Sequence, residues 1–290
     1  MLRKKEKQTK PTIGFIGAGN MAKAIIDAVM FNGYKDIIVF DPNQKSLLKI
    51  QERAKAVGER QVKIASSNQE VVDSAGYIFI CVKPQIAKEI LRDLRFAPEK
   101  VVISIMAGIT LDKLKVLTDG KKIVRVMPNM NAVVYNSYNA YCGKGLNIKE
   151  DMEVFHLLNA FGTPAAMEEE HIDTVTGIAG SGPAYVFRFI KGLILAAEKE
   201  GLNEEDAGIM ARDLLIGAAD VFAKECGIEG VPMPGYAQIM EKLDSLADSV
   251  CSKGGTTIEG IKHLDSHNFS GLVKEAAMLS TKRARELSQG

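Results

Sequence analysis

The chain has no long apolar run. None of its stretches approaches the roughly 18 uncharged apolar residues of a membrane span, so nothing is expected to cross a bilayer. It has almost no net charge either: 37 Lys and Arg stand against 36 Asp and Glu, giving +1. That balance leaves no electrostatic footprint for nucleic acid. Cysteine is sparse, and Cys81, Cys142, Cys226 and Cys251 form no CxxC pair. Cys81 sits in a strand-like run. The set suits reduced thiols in a cytoplasmic protein. Cys251 reads as a small apolar filler, with a reactive thiol as its second reading. The basic start over 1–10 is not read as a signal peptide, because the apolar run after it carries Asn20, Lys23 and Asp27. It reads as a frayed basic tail.

What is present is a core-forming composition. At 290 residues and 46% apolar, the chain suits one large or two ordinary domains. A short buried strand over 12–16 leads into Gly17-Ala18-Gly19-Asn20-Met21-Ala22, and a helix is expected from Met21 to about Phe31. Strand, GxGxxA loop and helix together are the setting a dinucleotide loop needs. Gly17 permits the tight turn, Gly19 lets a pyrophosphate approach, and Ala22 allows close helix–strand packing. Ile16, Asn20 and Met21 flank that contact. The strand over 37–40 ends in Asp41, 22 residues beyond Gly19. A carboxylate there accepts from ribose hydroxyls and repels a 2′-phosphate, which favours NADH over NADPH. Two other readings stay open: Lys45 offsets that repulsion, and Asp41 is a helix cap before Pro42.

Apolar strands over 62–65, 77–82, 101–105 and 123–127 alternate with helical stretches. This pattern predicts a parallel sheet covered on both faces. Ligands bind outside the carboxyl ends of such strands. Those ends carry Val82-Lys83-Pro84, Ala107-Gly108 and Pro128-Asn129. Val82, Lys83, Pro84, Ala107 and Asn129 are therefore cofactor candidates, with Lys83 also readable as a solvated side chain. A further strand is expected over 140–142, a helix over 149–161 and a last strand over 165–167. The first domain is set at 11–168.

From His171 the period is helical throughout, so 169–290 is expected to be an all-α domain. Several of its helices are apolar on more than one face, as in Tyr185-Val186-Phe187 and Leu193-Ile194-Leu195. A half of this size cannot bury that surface alone, so a homodimer built through it is expected. Burial against the first domain is the other reading. Late in this half, Gly254-Gly255-Thr256-Thr257 leads into a helix, with Thr256 and Glu259 at capping-box spacing. Free helix amides behind glycines make a carboxylate or phosphate site. The loop around Pro232 and Pro234 separates two of the helices. His263 and His267 are four apart, but no third ligand is evident, so no metal is expected.

Gly14-Phe15-Ile16-Gly17-Ala18-Gly19-Asn20-Met21-Ala22, Val82-Lys83-Pro84-Gln85, Arg125-Val126-Met127-Pro128-Asn129, Gly180-Ser181-Gly182-Pro183-Ala184-Tyr185 and Gly254-Gly255-Thr256-Thr257-Ile258 together resemble the pyrroline-5-carboxylate reductase family. The resemblance covers nearly the whole chain. It implies a Rossmann-type doubly wound parallel sheet, followed by an all-α dimerisation domain that often assembles into larger rings such as a decamer. It implies reduction of 1-pyrroline-5-carboxylate to L-proline with NADPH or NADH. It implies that the glycine loop and the Val-Lys-Pro stretch hold the cofactor, that Gly254, Gly255, Thr256 and Thr257 hold the substrate carboxylate, and that Glu169 lies near the substrate ring. Within this scheme the Thr257 hydroxyl bonds the ring nitrogen and Ser252 supports the turn. The chain departs from the family at Met130-Asn131, Ala179 and Lys253, and its loop near Pro232 is longer. A β-hydroxyacid dehydrogenase shares the two-domain plan, but its lysine is missing near Tyr185-Val186. A cofactor-binding regulator with weak catalysis is the alternative those departures motivate.

Overall fold

The computed structural model describes residues 10–56, 62–228 and 233–289. The tail over 1–9, and residues 230–232 of the proline-bearing loop, lie outside them. Strands and helices alternate as β1 (Ile13–Ile16), α1 (Asn20–Phe31), β2 (Ile37–Phe40), α2 (Gln44–Ala56), β3 (Val62–Ile64), α3 (Asn68–Ser74), β4 (Tyr77–Ile80), α4 (Pro84–Leu91), β5 (Val101–Ser104), α5 (Leu111–Thr118) and β6 (Lys122–Met127). Then come β7 (Ser137–Lys144), α6 (Ile148–Asn159), β8 (Gly162–Ala166) and the single turn α7 (Ile172–Val175). The rest is helical: α8 (Gly182–Lys199), α9 (Glu204–Glu225), α10 (Tyr236–Ser249), α11 (Thr256–Ser266) and α12 (Phe269–Gln289).

The eight strands form one sheet in the order β3-β2-β1-β4-β5-β6-β7-β8. Strands β1 to β6 are parallel, and the order reverses between β1 and β4. The sheet is not wholly parallel, however, because β7 runs antiparallel to β6. The 128–136 connection holds only a 3₁₀ turn (Met130–Val134), and a parallel crossover needs about a dozen residues or more. Strand β8 returns parallel to β7 through α6.

Alternation along each strand divides the core between the two faces. On one face Phe15 stacks on Phe79, with centroids 5.1 Å apart, beneath the buried Ile25 and Val29 of α1. On the other, Ile16, Ile78 and Ile80 pack with Val71 of α3 and Leu91 of α4. Each fully buried side chain of this kind contributes about 1.5–3 kcal/mol. Gly14 is required by packing: a Cβ there would lie 2.7 Å from both Ala75 Cβ and Val71 Cγ1.

By packing, the chain forms two compact units. Residues up to Pro183 belong with those from Ala277 on, and Ala184–Ala276 form the second unit. The boundary expected at 168/169 follows the change of period, whereas the contacts divide later. The reason is that 169–183 and the end of α12 pack on the sheet unit. Gly177, in a π-helical turn (Thr176–Gly180), meets Thr281 so closely that a Cβ would lie 2.1 Å from its Oγ1. Arg285 Nη2 donates to Thr174 Oγ1 at 3.3 Å.

In the second unit, Tyr185 donates to Ala276 O at 3.4 Å, and Phe189 lies 6.4 Å from Phe269. Its apolar side chains are largely on the surface: Phe187 is 50% exposed, Leu214 49% and Met240 58%.

Candidate functional site

In the sheet unit, the expected cofactor residues converge at the carboxyl edge, around the β1/β4 reversal. Ile16 closes β1, and Cys81 N donates to its carbonyl at 2.8 Å. Gly17 N donates to Phe40 O at 2.9 Å, and the residue holds φ +99°. A Cβ there would stand 2.8 Å from Cys81 O, so both backbone shape and space demand glycine. Burial pushes the Cys81 thiol far up, which makes it a packing group rather than a nucleophile.

Gly19 differs. Its φ of −67° suits any residue, and a Cβ would meet nothing within 4 Å. It is the N-cap of α1, with no side-chain cap and no acid in the first turn, and Asn20 and Met21 open the helix. Glycine here keeps clear the space in front of free helix amides, the cradle a pyrophosphate fills. Lys83 caps α4 in the same way, with Pro84 at the first position and no side-chain cap. By contrast, Ser67, Thr110 and Asn147 cap α3, α5 and α6 with their side chains. The two open helix ends follow β1 and β4, which are paired neighbours. Val82 and the exposed Lys83 lie beside them. These residues fit a dinucleotide.

Asp41 is bound into the loop itself. Its Oδ2 accepts from Ala18 N at 2.7 Å and its Oδ1 from Asn43 N at 2.7 Å. Lys45 N bonds Asn43 Oδ1 at 3.1 Å. Asp41 therefore orders the glycine loop as well as presenting a carboxylate. Ala107 is half-buried in the loop after β5, next to Gly108, where φ is +76° and a Cβ would lie 2.8 Å from Leu287 Cβ. Asn129 is buried. Its Nδ2 donates to Ala179 O at 3.1 Å and its Oδ1 accepts from Asn131 N at 3.0 Å, so it joins the end of β6 to the π-helical turn.

Glu169 opens the 3₁₀ turn (Glu169–His171) that follows β8. Its Oε1 accepts from Leu111 N at 2.7 Å and lies 3.3 Å from Arg125 Nη1. Arg125 is the residue missed by the sequence reading. It is 2% exposed, and its Nη2 meets Asp173 Oδ1 at 2.5 Å and Ser288 Oγ at 3.3 Å. Ser288 Oγ also donates to that Asp173 oxygen at 2.9 Å. A lone charge inside the apolar run Ile123-Val124-Arg125-Val126-Met127 was the available signal, since a buried charge needs partners.

In the second unit, the 254–257 turn opens α11, but without the expected capping box. Gly254 holds φ +72°, Gly255 is the N-cap, and Thr256 is already helical. Glu259 pairs with Lys262 at 2.8 Å rather than reaching back. Gly255 N donates to Ser252 O at 2.9 Å. A Cβ on Gly255 would lie 2.2 Å from Ser252 Oγ, so Ser252 covers the turn. The first amides of α11 are left without a side-chain cap, which strengthens the case for an anion there.

Comparison with known proteins gives the two halves a common identity. A family model described as pyrroline-5-carboxylate reductase dimerisation matches residues 169–287, starting where the period changes. One described as NADP oxidoreductase, coenzyme F420-dependent, matches 12–108. The pyrroline-5-carboxylate reductase of Aquifex aeolicus is 35% identical over 95% of this chain and 97% of its own. That of Escherichia coli is 33% identical over 96% and 98%. The crystal structure of a Plasmodium falciparum pyrroline carboxylate reductase with NADP bound superposes with a TM-score of 0.81 at 26% identity, over 97% of this chain and 99% of that one. Likeness at this level runs through the glycine loop and the 254–257 turn alike, and the chain belongs to the pyrroline-5-carboxylate reductase family.

Proposed function

We propose that the chain reduces 1-pyrroline-5-carboxylate to L-proline, the last step of proline biosynthesis, using a reduced nicotinamide dinucleotide. The observation that carries this reading is the 35% identity to a pyrroline-5-carboxylate reductase across 95% of the chain, spanning both candidate binding turns. The bound cofactor supplies hydride to the imine carbon, and the ring nitrogen ends with a proton. This chain's part is positioning. The uncapped amides at Gly255, Thr256 and Thr257 hold the substrate carboxylate. The Thr257 hydroxyl bonds the ring nitrogen, and Ser252 braces the turn. A protonated imine is already a good hydride acceptor, so most of the acceleration comes from orientation.

The glycine loop, Asn20, Met21 and the open end of α4 at Lys83 hold the dinucleotide. Asp41 selects NADH: both carboxylate oxygens are anchored by backbone amides, so the charge cannot swing away from a 2′-phosphate. The functional unit is a homodimer formed through 169–287, the stretch matched by the dimerisation model. Larger rings, a decamer among them, are assemblies of that unit. The test is loss of the reduced-nicotinamide absorbance on adding 1-pyrroline-5-carboxylate, with NADH and NADPH in parallel. Turnover with either supports the reductase. A folded protein that binds cofactor and turns over no cyclic imino acid would be the regulatory alternative instead.

A further inference from the structure

The loop joining β5 to α5 lies at the carboxyl edge of the sheet and carries Ala107, one of the candidate cofactor residues. The strand order says which part of a dinucleotide this loop meets. That order runs β2-β1-β4-β5. A pyrophosphate at the turn between β1 and α1 has Asp41 on one side, at the end of β2, where the adenosine ribose belongs. The loop after β5 stands on the other side, two strands beyond β1. It therefore faces the nicotinamide half.

The loop is held at three points. At its start, Met106 N donates to the buried Ser104 Oγ at 3.2 Å. At its end, Leu111 N donates to Glu169 Oε1, which also lies 3.3 Å from Arg125 Nη1. In its middle, Gly108 rests on the last turn of α12. A Cβ at Gly108 would stand 2.8 Å from Leu287 Cβ and 3.0 Å from Leu287 O. Leu287 is 43% exposed, so its own burial does little to hold that turn in place. Hydrogen bonds hold it instead. Lys113 Nζ donates to Leu287 O at 3.3 Å. Ser288 Oγ donates to Asp173 Oδ1 at 2.9 Å and accepts from Arg125 Nη2 at 3.3 Å. All of these residues belong to the sheet unit. Close packing of this kind passes small displacements on, and a misplacement of about 1 Å far from the chemistry is enough to be felt at a reacting centre.

We propose that Lys113 and Ser288 are positioning residues for the nicotinamide half of the cofactor. They hold the last turn of α12 against Gly108, and that turn fixes the backbone at Ala107. The inference rests on the dinucleotide site proposed above and adds two residues from outside it. The test uses the full chain carrying Lys113→Ala and Ser288→Ala together. Fluorescence titration should show NADH affinity weakened by roughly threefold to tenfold, the loss of one or two hydrogen bonds passed on in part. ADP-ribose keeps the adenosine and the pyrophosphate but has no nicotinamide, and it should bind as it does to the wild-type protein. KM for NADH should rise in step, while KM for 1-pyrroline-5-carboxylate holds. Ser288→Thr with Lys113→Arg keeps the hydroxyl and the cation and should restore NADH affinity. Parallel loss of NADH and ADP-ribose would reveal a general loosening of the fold and overturn the inference. Unchanged NADH affinity would also overturn it, while leaving the cofactor reading intact. A wild-type chain that binds neither NADH nor NADPH sinks that reading and the inference with it. If the double variant does not fold, Lys113→Ala alone is read in the same way.

Discussion

Asp41 and Ala18 are joined by a hydrogen bond of 2.7 Å from the Ala18 amide to Asp41 Oδ2, which ties the end of β2 to the glycine loop. Hydrogen bonds to a charged group are worth about 1.5–3 kcal/mol, so Asp41→Ser should raise KM for NADH by roughly tenfold or more. It should lower KM for NADPH, because the repelling charge is gone. The ratio of kcat/KM for the two cofactors, measured in both proteins, checks this. An unchanged ratio would remove Asp41 from cofactor selection.

Gly17 and Gly19, two positions apart in the same loop, do different work that mutation separates. Gly17→Ala forces φ +99° on a side chain and drives its Cβ to 2.8 Å from Cys81 O. It should destabilise the fold by more than about 1 kcal/mol and abolish cofactor binding. Gly19→Ala finds open space at an ordinary φ. Its melting temperature should hold while affinity for the dinucleotide drops. Fluorescence titration with NADH alongside thermal melts distinguishes the two. A Gly19→Ala protein that binds NADH normally would argue against a pyrophosphate at that spot.

Arg125→Met leaves Asp173 buried without its cation. Breaking a buried pair in this way costs about 3–5 kcal/mol, readable as a lower midpoint in urea. Arg125→Lys should recover only part of it, since one ammonium cannot serve Asp173, Glu169 and Ser288 in the fork geometry of a guanidinium. Equal stability of the Lys and wild-type proteins would contradict a requirement for the guanidinium fork at Arg125.

Tyr34 is 2% exposed and donates to Glu153 Oε1 at 2.7 Å. Burial first, and then the Glu153 carboxylate, push its phenol well above the usual tyrosine range. Tyr77 beside it is pushed up to about 12, chiefly by burial. The folded state thus holds these protons more tightly than the unfolded chain. Their contribution is complete below about pH 10, the unfolded tyrosine value, and fades as pH climbs towards the folded ones. Denaturation by alkali should therefore set in above about pH 10, and Tyr34→Phe should flatten the fall. An identical pH profile in Tyr34→Phe would place the alkaline transition elsewhere.

Thr257 is not a side-chain cap, since α11 starts at Thr256 behind Gly255 with no capping hydroxyl. Thr257→Ala should leave the melting temperature nearly unchanged and lower turnover by roughly one to two powers of ten, at the lower end of general acid–base effects. Unchanged kinetics would take Thr257 out of the mechanism.

Much of this was legible in the residues because it depends on local geometry. A GxGxxA loop between an apolar strand and an amphipathic helix admits few structures, and β1, α1 and β2 lie within a residue or two of their expected places. The 254–257 turn was also visible, since glycines ahead of a helix signal free amides. Its capping box was misread by one register. Which residue becomes the N-cap depended on Gly254 adopting a left-handed φ, and spacing alone does not report that.

The sequence by itself determined the class of fold, the nucleotide loop and the division between alternating and helical halves, because each follows from periodicity and from the stereochemistry of glycine. The tertiary structure alone decided the direction of β7, the fixing of Asp41 to Ala18, and the gathering of Glu169 and Asp173 around Arg125. It also returned the end of α12 to the sheet unit, where Arg125 meets Ser288, 163 positions later in the chain. Such contacts join residues far apart in sequence, and their partners are chosen by packing and by the need to neutralise a buried charge, neither of which leaves a local pattern to read.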